Sequence, residues 1–319
     1  MIFKLYNRVI NGHRLTKSEI LYLLSIKDED VFDLMYYSNK IKNKFMGRTV
    51  RFCSIINAKS GNCSENCAFC AQSSKSKAKI KKYPLVAFKE IKKSATEAQK
   101  NSAHLGIVTS GCKLTEKDFN KVINYIKKLS KIYRIDASLG ELSLEKAKAL
   151  KKAGCIAYNH NLETSKNYFN HIVTTHRYED RVKTIKNIKK AKMKACCGGI
   201  FGMGEKNNDR ADLAVALRDL DVDIVPLNFL NPIKGTPLEA AKKLSVIEIL
   251  KIIAVFRFVL PEKDIKVCGG REVNLGEFQP LLYIAGANGV IIGNYLTTLG
   301  RPPKEDVQMV KELGLKLKI

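Results

Sequence analysis

One alternating pattern limits the folds open to this chain more than any other feature. From residue 50 onward, short β-branched or apolar runs alternate with amphipathic, lysine-rich stretches. This alternation is typical of parallel strands joined by crossover helices. The predicted strands cover residues 50–56, 105–109, 133–138, 155–160, 194–200, 223–228, 265–268 and 290–293. The predicted helices cover residues 88–104, 116–131, 143–153, 179–192, 209–220, 245–259, 274–285 and 304–313.

Eight such units in roughly 270 residues favour a closed barrel over an open doubly wound sheet, which more often has about five to seven strands. Ser143 and Thr115 stand where helix N-caps belong, and Gly154 and Gly314 follow helices as C′ glycines do. We therefore predict the α/β fold class: a single (βα)8 TIM-type barrel over residues 46–319, with an N-terminal helical extension, residues 1–45, as its cap.

The composition excludes several classes of protein. The chain has 319 residues, of which 45% are hydrophobic and 27% charged, so disorder, collagen and coiled coil are ruled out. No apolar run reaches the roughly 18 residues of a membrane span, and charged residues interrupt the first 17 positions, so no signal peptide is visible. We expect a cytoplasmic protein with no membrane partner.

The chain is strongly basic, with a formal charge of +25 from 56 Lys and Arg against 31 Asp and Glu. The lysines are spread along every predicted helix, as on solvated polar faces, and no zinc finger, RNP motif or basic arm accompanies them. We therefore expect no nucleic-acid partner. The charge suits an acidic electron donor such as flavodoxin or ferredoxin, although so even a spread locates no docking patch.

Three cysteines form the most specific motif. Cys63, Cys67 and Cys70 have C-x3-C-x2-C spacing directly after the first predicted strand. Three thiolates on one short loop can face a single 4Fe-4S cluster, which normally takes four protein ligands, so one iron is left open for a substrate or cofactor. The alternative, a zinc knuckle, would need a nearby fourth ligand and paired spacing that the sequence lacks.

This loop, with an aromatic residue before its third cysteine, resembles that of the radical S-adenosylmethionine enzymes. The resemblance implies that Cys63, Cys67 and Cys70 hold a 4Fe-4S cluster whose open iron binds the amino and carboxylate groups of S-adenosylmethionine. Electron transfer then cleaves the sulfonium to methionine and a 5′-deoxyadenosyl radical. Phe69 would lie near the adenine.

Further segments resemble the biotin synthase family, and with the loop they extend the resemblance from about residue 50 to the end of the chain. They are YNHNLETS at 158–165, CGGIFGMGE at 197–205, VPLNFLNPIKGTPL at 225–238, GGRE at 269–272 and AGAN at 285–288. The resemblance implies that Asn161, Glu163 and Arg181 contact S-adenosylmethionine, and that Asn159 and Asn228 contact dethiobiotin.

The residues themselves give partial support for such a substrate. Asn159, Asn161 and Asn228 each follow or end a predicted strand, and their amides offer paired donors and acceptors that suit a cyclic urea. Dethiobiotin carries such a ring. The alternative is that any one of these asparagines merely caps a turn.

Family members also hold an auxiliary 2Fe-2S cluster in the barrel through three cysteines and one arginine, and this part of the resemblance is incomplete. Alignment places these positions at Ile107, Asp136, Cys196 and Arg271, so two of the three cysteines are missing. Neither an isoleucine nor a hard aspartate oxygen is a usual ligand for such a cluster.

Other cysteines offer a substitute set of ligands. Cys53, Cys196 and Cys268 lie on three different predicted strands and, with Arg271, could converge in the barrel lumen. Strand alternation requires Cys196 and Cys197 to face opposite sides, so only one of them can point inward. A core role for Cys53 or Cys268 is the alternative. Cys155 is read as a buried hydrophobe, and Cys112 remains a possible ligand on a loop.

The favoured hypothesis is a radical sulfurtransferase that inserts sulfur from an auxiliary iron-sulfur cluster into dethiobiotin, after hydrogen abstraction at two carbons in turn. A second hypothesis is a related mutase or metallocofactor maturase without sulfur insertion, which the missing cage cysteines would explain. A third is a basic nucleic-acid or scaffold protein that stores a structural cluster. We also expect a homodimer.

Overall fold

A closed barrel of parallel strands forms the centre of the molecule, as the alternating pattern predicts. The computed structural model describes residues 1–318. The strands are β1 (Thr49–Lys59), β2 (His104–Thr109), β3 (Ile135–Ser138), β4 (Ala157–Asn159), β5 (Lys194–Cys196), β6 (Gly199–Phe201), β7 (Ile224–Phe229), β8 (Asp264–Val267), β9 (Gly289–Ile291) and β10 (Lys316–Lys318). Neighbours pair in the order β1-β2-β3-β4-β5-β7-β8-β9, and β9 returns to β1 to close the barrel.

Helices surround the barrel. They are α1 (Ile2–Ile10), α2 (Lys17–Leu24), α3 (Val31–Met46), α4 (Phe88–Gln99), α5 (Glu116–Leu129), α6 (Leu144–Lys152), α7 (Lys166–Ile172), α8 (Tyr178–Lys190), α9 (Asn207–Asp219), α10 (Val246–Val259), α11 (Arg271–Leu275), α12 (Leu281–Ile284) and α13 (Pro303–Glu312). Thr115 and Ser143 cap α5 and α6 through their side chains, as predicted. Gly154 and Gly314 have the positive φ of C′ glycines.

The predicted strand at 194–200 is two short strands, β5 and β6. Both lie beside β7, with Cys196 paired to Ile224 and Gly199 paired to Leu227. A Cβ at Gly198 would lie 1.9 Å from the carbonyl oxygen of Pro226, so only glycine permits this approach. The two glycines therefore break the strand and bring the segment after it against β7.

The predicted helix at 274–285 is also divided. It is replaced by α11, a 3-10 turn at Gly276–Phe278 and α12. Gly276 has φ +49, and Pro280 precedes α12, so neither residue continues a regular helix across this segment. Neither α7 nor β10, which pairs with the start of β1, was predicted.

Helices α2 and α3 pack against α10, α1 packs against α3, and α3 also contacts the segment that leads into β9. Ser38 Oγ and Lys42 Nζ on α3 donate hydrogen bonds of 2.7 Å each to the carbonyl oxygens of Ala285 and Tyr283. Helix α10 is buried along Ile249–Val259, because it lies between these helices and the barrel. The extension thus covers the side of the barrel near the amino end of β9. None of the helices within residues 1–318 is long and apolar enough to cross a membrane.

Candidate active site

A cavity of about 430 Å³ opens at the carboxyl ends of the strands and continues into the barrel. This is the end at which (βα)8 enzymes build their sites. Its wall includes the side chains of three groups that the sequence singled out, which are Phe69 and Cys70 of the cysteine loop, Asn159, Asn161, Glu163 and Asn228 at strand ends, and Cys53, Cys196 and Cys268 deeper inside. The fold therefore brings residues separated by more than 200 positions around one space.

The cysteine loop follows β1 and is held by its own backbone. The N–H of Cys63 donates to the carbonyl oxygen of Gln72 at 3.1 Å, and the carbonyl oxygen of Cys63 accepts from the N–H of Ser74 at 2.7 Å. The N–H of Cys70 donates to the carbonyl oxygen of Cys67 at 3.0 Å. All three cysteines are partly buried and free. Burial raises the pKa of the Cys67 thiol to about 12, against the smaller opposing effect of the Arg181 charge. A soft cation bound there would displace the proton that this environment otherwise favours.

Phe69 lies on the cavity wall between two of these cysteines. It packs against a small apolar cluster, apart from the main core, that includes Phe169, Met203 and Leu230. The ring therefore presents an apolar face beside the loop, at the mouth of the barrel.

Arg181 and Glu163 form a buried pair next to the loop. Arg181 Nη1 lies 3.4 Å from Glu163 Oε1 and donates to the backbone oxygen of Asn161 at 2.8 Å. Asn161 Nδ2 lies 3.4 Å from Glu163 Oε2. Burial raises the pKa of Glu163, and the Arg181 charge acts against that rise. Glu163 also has φ +69, unusual for a residue with a side chain, so its carboxylate is held at the cavity by a costly backbone conformation.

A second set of residues supports Arg181 from outside the cavity. Arg181 Nε lies 3.0 Å from His176 Nε2, and His176 Nδ1 lies 2.6 Å from the carboxylate of Glu65, within the cysteine loop. Burial lowers the pKa of His176, while Glu65 partly offsets this. Sequence reasoning missed His176. Its only signal was the position just before α8, which carries Arg181.

The side-chain amides of Asn159 and Asn228 differ in how many good hydrogen bonds they make within the protein. Both polar atoms of the Asn228 side-chain amide are hydrogen-bonded within the protein. Its Nδ2 donates to the carbonyl oxygen of Gly199 at 3.1 Å, and its Oδ1 accepts from the N–H of Gly269 at 2.9 Å. Asn159 Nδ2 has three long contacts, to Asn161 Oδ1, the carbonyl of Cys196 and Cys196 Sγ, at 3.3 to 3.5 Å. The Asn159 amide is therefore less strongly hydrogen-bonded within the protein than the Asn228 amide. Thr109 Oγ1, on the same cavity wall, is buried without a partner among the described residues.

Cys53, Cys196 and Cys268 all line the cavity inside the barrel. Cys197 instead belongs to the hydrophobic core, as strand alternation requires if Cys196 points inward. Cys155 is also in that core and is 1% exposed. Cys112 lies outside this cavity and donates from Sγ to Glu141 at 3.3 Å. Burial raises the pKa of the Cys196 thiol to about 12.

Two of the aligned cage positions are corrected. On β2 the residues facing the cavity are Gly106 and Val108, whereas Ile107 is fully buried in the core on the opposite face, so the alignment is displaced by one residue. Arg271 begins α11 beyond the strand and is absent from the cavity wall. Its guanidinium is paired with the buried carboxylate of Asp306 at 2.7 and 2.9 Å.

Lys266 is the cation that the structure places among the inner cysteines. It lies two residues before Cys268 on β8, so the two side chains share a face of the strand. Its Nζ is 2.8 Å from Cys53 Sγ, and the residue is only 6% exposed. Asp136, the other aligned position, does line the cavity, and His104 Nδ1 lies 3.2 Å from its carboxylate. Sequence reasoning missed Lys266 because most lysines here are solvated.

These donor sets fit iron-sulfur clusters. Thiolates are the ligands that such clusters use, and both cysteine groups adjoin the cavity. Within residues 1–318 no three His, Cys, Asp or Glu side chains close on a single metal ion. A cluster differs in this respect, because its irons are ligated separately.

Comparison with known proteins agrees with this geometry. Family models for the Radical SAM superfamily and for the Biotin and Thiamin Synthesis associated domain match residues 58–217 and 226–316. A closed parallel barrel with such a cysteine loop at its carboxyl end, together with these matches, defines the class: the chain is a radical S-adenosylmethionine enzyme. Curated relatives identify the family within this class of enzymes.

The chain is 47% identical to the biotin synthase of Citrifermentans bemidjiense, over 99% of this chain and 97% of that protein. It is 46% identical to those of Geobacter sulfurreducens, over 98% and 97%, and Clostridium acetobutylicum, over 99% and 98%. The chain belongs to the biotin synthase family and is a radical S-adenosylmethionine sulfurtransferase. Membership implies a 4Fe-4S cluster, S-adenosylmethionine and dethiobiotin as the substrate.

Solved structures confirm the fold. Methylornithine synthase superposes with a TM-score of 0.87 at 20% identity, over 99% of this chain and 97% of that one. The FeFe-hydrogenase maturase HydG from Carboxydothermus hydrogenoformans superposes with a TM-score of 0.84 at 16% identity, over 99% and 79%. At such low identity these likenesses concern the barrel alone.

Proposed function

We propose that this chain inserts sulfur into dethiobiotin, with the radical generated at the cysteine loop and the sulfur drawn from an auxiliary iron-sulfur cluster inside the barrel. The observation that carries this proposal is the single cavity, which has Cys70 at its mouth and Cys53, Cys196 and Cys268 deeper in its wall. A substrate held between them would meet both cysteine groups.

At the mouth, Cys63, Cys67 and Cys70 would hold the 4Fe-4S cluster, which when loaded supplies the electron that cleaves S-adenosylmethionine. Glu163 and Asn161 face the cavity beside Cys70 and offer a carboxylate and an amide to the polar groups of that cofactor. Arg181 keeps both in place, because it contacts the Glu163 carboxylate and the Asn161 backbone. Phe69 provides the apolar surface for the adenine.

Deeper inside, Cys53, Cys196 and Cys268 would hold the auxiliary cluster, the source of the sulfur. Arg271 is left out of this set, because its guanidinium pairs with Asp306 and the residue does not line the cavity. Lys266 would instead supply a buried cation beside thiolates that otherwise repel one another. Asp136 and His104 complete the polar wall on the neighbouring strands.

Between the two cysteine groups, Asn159 and Asn228 would orient the ureido ring. Asn228 is fixed by Gly199 and Gly269, so it presents a rigid amide, while the long contacts of Asn159 leave it free to bond a ligand. Exclusion of water from the lumen, once the cofactor and substrate fill its mouth, would protect a carbon radical from side reactions.

The test is iron and sulfide analysis after anaerobic reconstitution of a Cys63, Cys67, Cys70 triple Ala variant. We expect this variant to lose cleavage of S-adenosylmethionine yet retain iron and sulfide, and to lose both when Cys53, Cys196 and Cys268 are also changed to Ala. Cys155→Ala in the triple-variant background is the control, because Cys155 lies in the core. A triple variant without iron would contradict the auxiliary cluster and favour a mutase or maturase without sulfur insertion.

The electron donor and the oligomeric state belong to this proposal as well. The +25 charge favours an acidic donor such as flavodoxin or ferredoxin. A homodimer is supported by Phe3, Phe32 and Tyr36, which expose 53 to 60% of their surface on α1 and α3. Sedimentation equilibrium of the wild type and of a Phe3→Ser, Phe32→Ser, Tyr36→Ser variant tests this, with a monomeric wild type as the contrary result.

A further inference from the structure

A lysine-rich segment follows the cysteine loop directly. We call residues 74–83 the lysine strap, which contains Lys75, Lys77, Lys79, Lys81 and Lys82. All five lysines are exposed, and the strap forms neither helix nor strand. No Asp or Glu occurs anywhere from residue 66 to residue 89. The strap is therefore a run of positive charge without internal compensation.

The strap is fixed to the cysteine loop at both of its ends. Ser74 N–H donates to the carbonyl of Cys63 at 2.7 Å, and Tyr83 exchanges two backbone hydrogen bonds of 3.1 Å with Ser60. Between them, Lys77 N–H donates to Gly235 at 2.8 Å, next to the further exposed Lys234. The charges are thus held over the loop that carries the three cysteines.

The strap also has no acidic neighbour, unlike several other segments that carry lysines. Within residues 1–318 none of its five lysines forms an ion pair, whereas Lys113, Lys146, Lys189 and Lys263 pair with Glu141, Glu116, Asp221 and Asp221 at 2.5 to 3.0 Å. Unpaired like charges on a fixed backbone add their potentials. The sequence, in which lysines are everywhere, could not distinguish this patch.

We propose that the lysine strap is the docking surface for an acidic protein that donates one electron to the 4Fe-4S cluster. The proposal rests on the assignment of that cluster to Cys63, Cys67 and Cys70. The positive charge of the lysine strap would steer an acidic donor to the cysteine loop and orient it there. Such steering raises the rate at which the two proteins meet in a productive orientation. The balance is simple: the donor is oxidised by one electron, the cluster is reduced by one, and no atom or bond is exchanged.

The experiment uses the reconstituted enzyme and a reduced flavodoxin, with cluster reduction followed by anaerobic stopped-flow spectroscopy. The strap variant changes Lys75, Lys77, Lys79, Lys81 and Lys82 to Gln. A matched control variant changes five exposed, unpaired lysines of α6 and α8 to Gln: Lys148, Lys151, Lys152, Lys183 and Lys186. Each variant is also reduced with methyl viologen radical, a small cation that needs no anionic docking patch.

We expect the second-order rate with flavodoxin to fall roughly tenfold or more in the strap variant, and its dependence on salt to flatten. The control variant should keep most of the wild-type rate, and methyl viologen should reduce both variants at least as fast as the wild type, because loss of lysines only lessens the repulsion of this cation. Equal rates with flavodoxin for the strap and control variants would overturn the proposal.

Two further outcomes are distinguishable. If flavodoxin reduces the Cys63, Cys67, Cys70 triple Ala variant as fast as the wild type, the cluster that accepts the electron is not on the loop and the docking proposal fails with that assignment. If the strap variant loses affinity for a random RNA oligonucleotide while its reduction by flavodoxin is unchanged, the strap is a nucleic-acid surface and the docking proposal is wrong.

Discussion

Inside the barrel, the ammonium of Lys266 lies 2.8 Å from the sulfur of Cys53, a residue 213 positions away on a neighbouring side of the lumen. A cation at this depth is stabilised only by negative charge close to it. Cys196 and Asp136 also act electrostatically on this ammonium, so titratable partners on three strands lie near it.

Removal of the Lys266 charge should make the auxiliary cluster harder to reduce. A unit charge about 7 Å away at an effective dielectric of about 20 contributes about 2 kcal/mol, so Lys266→Met should shift the potential to more negative values by that order. Lys266→Arg keeps the charge and is the control. The measurement is an EPR-monitored redox titration in the Cys63, Cys67, Cys70 triple Ala background. Equal potentials for the Met and Arg variants would refute a role for the charge.

Cys196 and Cys197 offer a test with adjacent residues. Cys196 lines the cavity, whereas Cys197 is fully buried in the core behind it. In the same triple Ala background, Cys196→Ala should lose most of the auxiliary iron, and Cys197→Ala should keep it with a modest loss of stability from the smaller side chain. Iron content and thermal unfolding are measured together. Iron loss in the Cys197 variant alone would mean that the strand faces the other way.

The pair between Arg271 and Asp306 should be a major contributor to stability. Both side chains are fully buried, so Asp306→Asn leaves a buried guanidinium with only the longer pair to Glu272, at 3.4 Å, and should cost about 3 kcal/mol of unfolding free energy. Glu305, one position earlier, pairs with Arg301 at the surface, and Glu305→Gln should cost less than about 1 kcal/mol. Urea unfolding of both variants gives the comparison, and similar losses would argue against the buried pair.

Glu19 should make the N-terminal helices sensitive to acid. Although burial pulls the pKa of Glu19 upward, its contacts with the Thr16 backbone and side chain, with His13 and with Arg8 bring the pKa from the ordinary 4.5 to about 2. A carboxylate with a lowered pKa stabilises the fold above its unfolded-state value, and this contribution is lost as the pH falls toward 2.

The Tm difference between the wild type and Glu19→Gln should therefore be largest above about pH 5 and shrink below it. Calorimetry across the acid range measures this. Glu29→Gln is the matched control, because Glu29 is 75% exposed and reaches only Lys27, at 3.5 Å. A Tm difference that is independent of pH would show that Glu19 acts through packing and not through its charge.

Much of the fold follows from the sequence, because strand and helix periodicities reflect local burial. Each barrel strand overlaps its predicted segment, and the caps at Thr115 and Ser143 form as their side chains dictate. The errors fall where a tertiary contact overrides the local pattern. The close approach of Gly198 to Pro226 breaks a predicted strand, and Pro280 interrupts a predicted helix.

The site was predictable to a similar degree. The alternation of side chains along a strand correctly separated Cys196 from Cys197, because that rule is local. The alignment failed at Ile107, since an error of one residue reverses a side chain, and the pairing of Arg271 with Asp306 depends on a contact across 35 positions that no local pattern predicts. Lys266 could not be found, because nothing in one sequence distinguishes a buried lysine from 55 other basic residues.

The length of β1 sets a spacing within the molecule. This strand has 11 residues, carries Cys53 in its first half and leads directly into the loop of Cys63, Cys67 and Cys70. A strand rises about 3.3 Å per residue, so the part of β1 that follows Cys53, with its register shift between Asn57 and Lys59, sets the distance between the two groups of thiols. An inserted or deleted residue within this part would change that distance and reverse the side chains on one side of the change. The ligand set proposed above leaves this spacing intact, and with it the gap that a substrate must bridge.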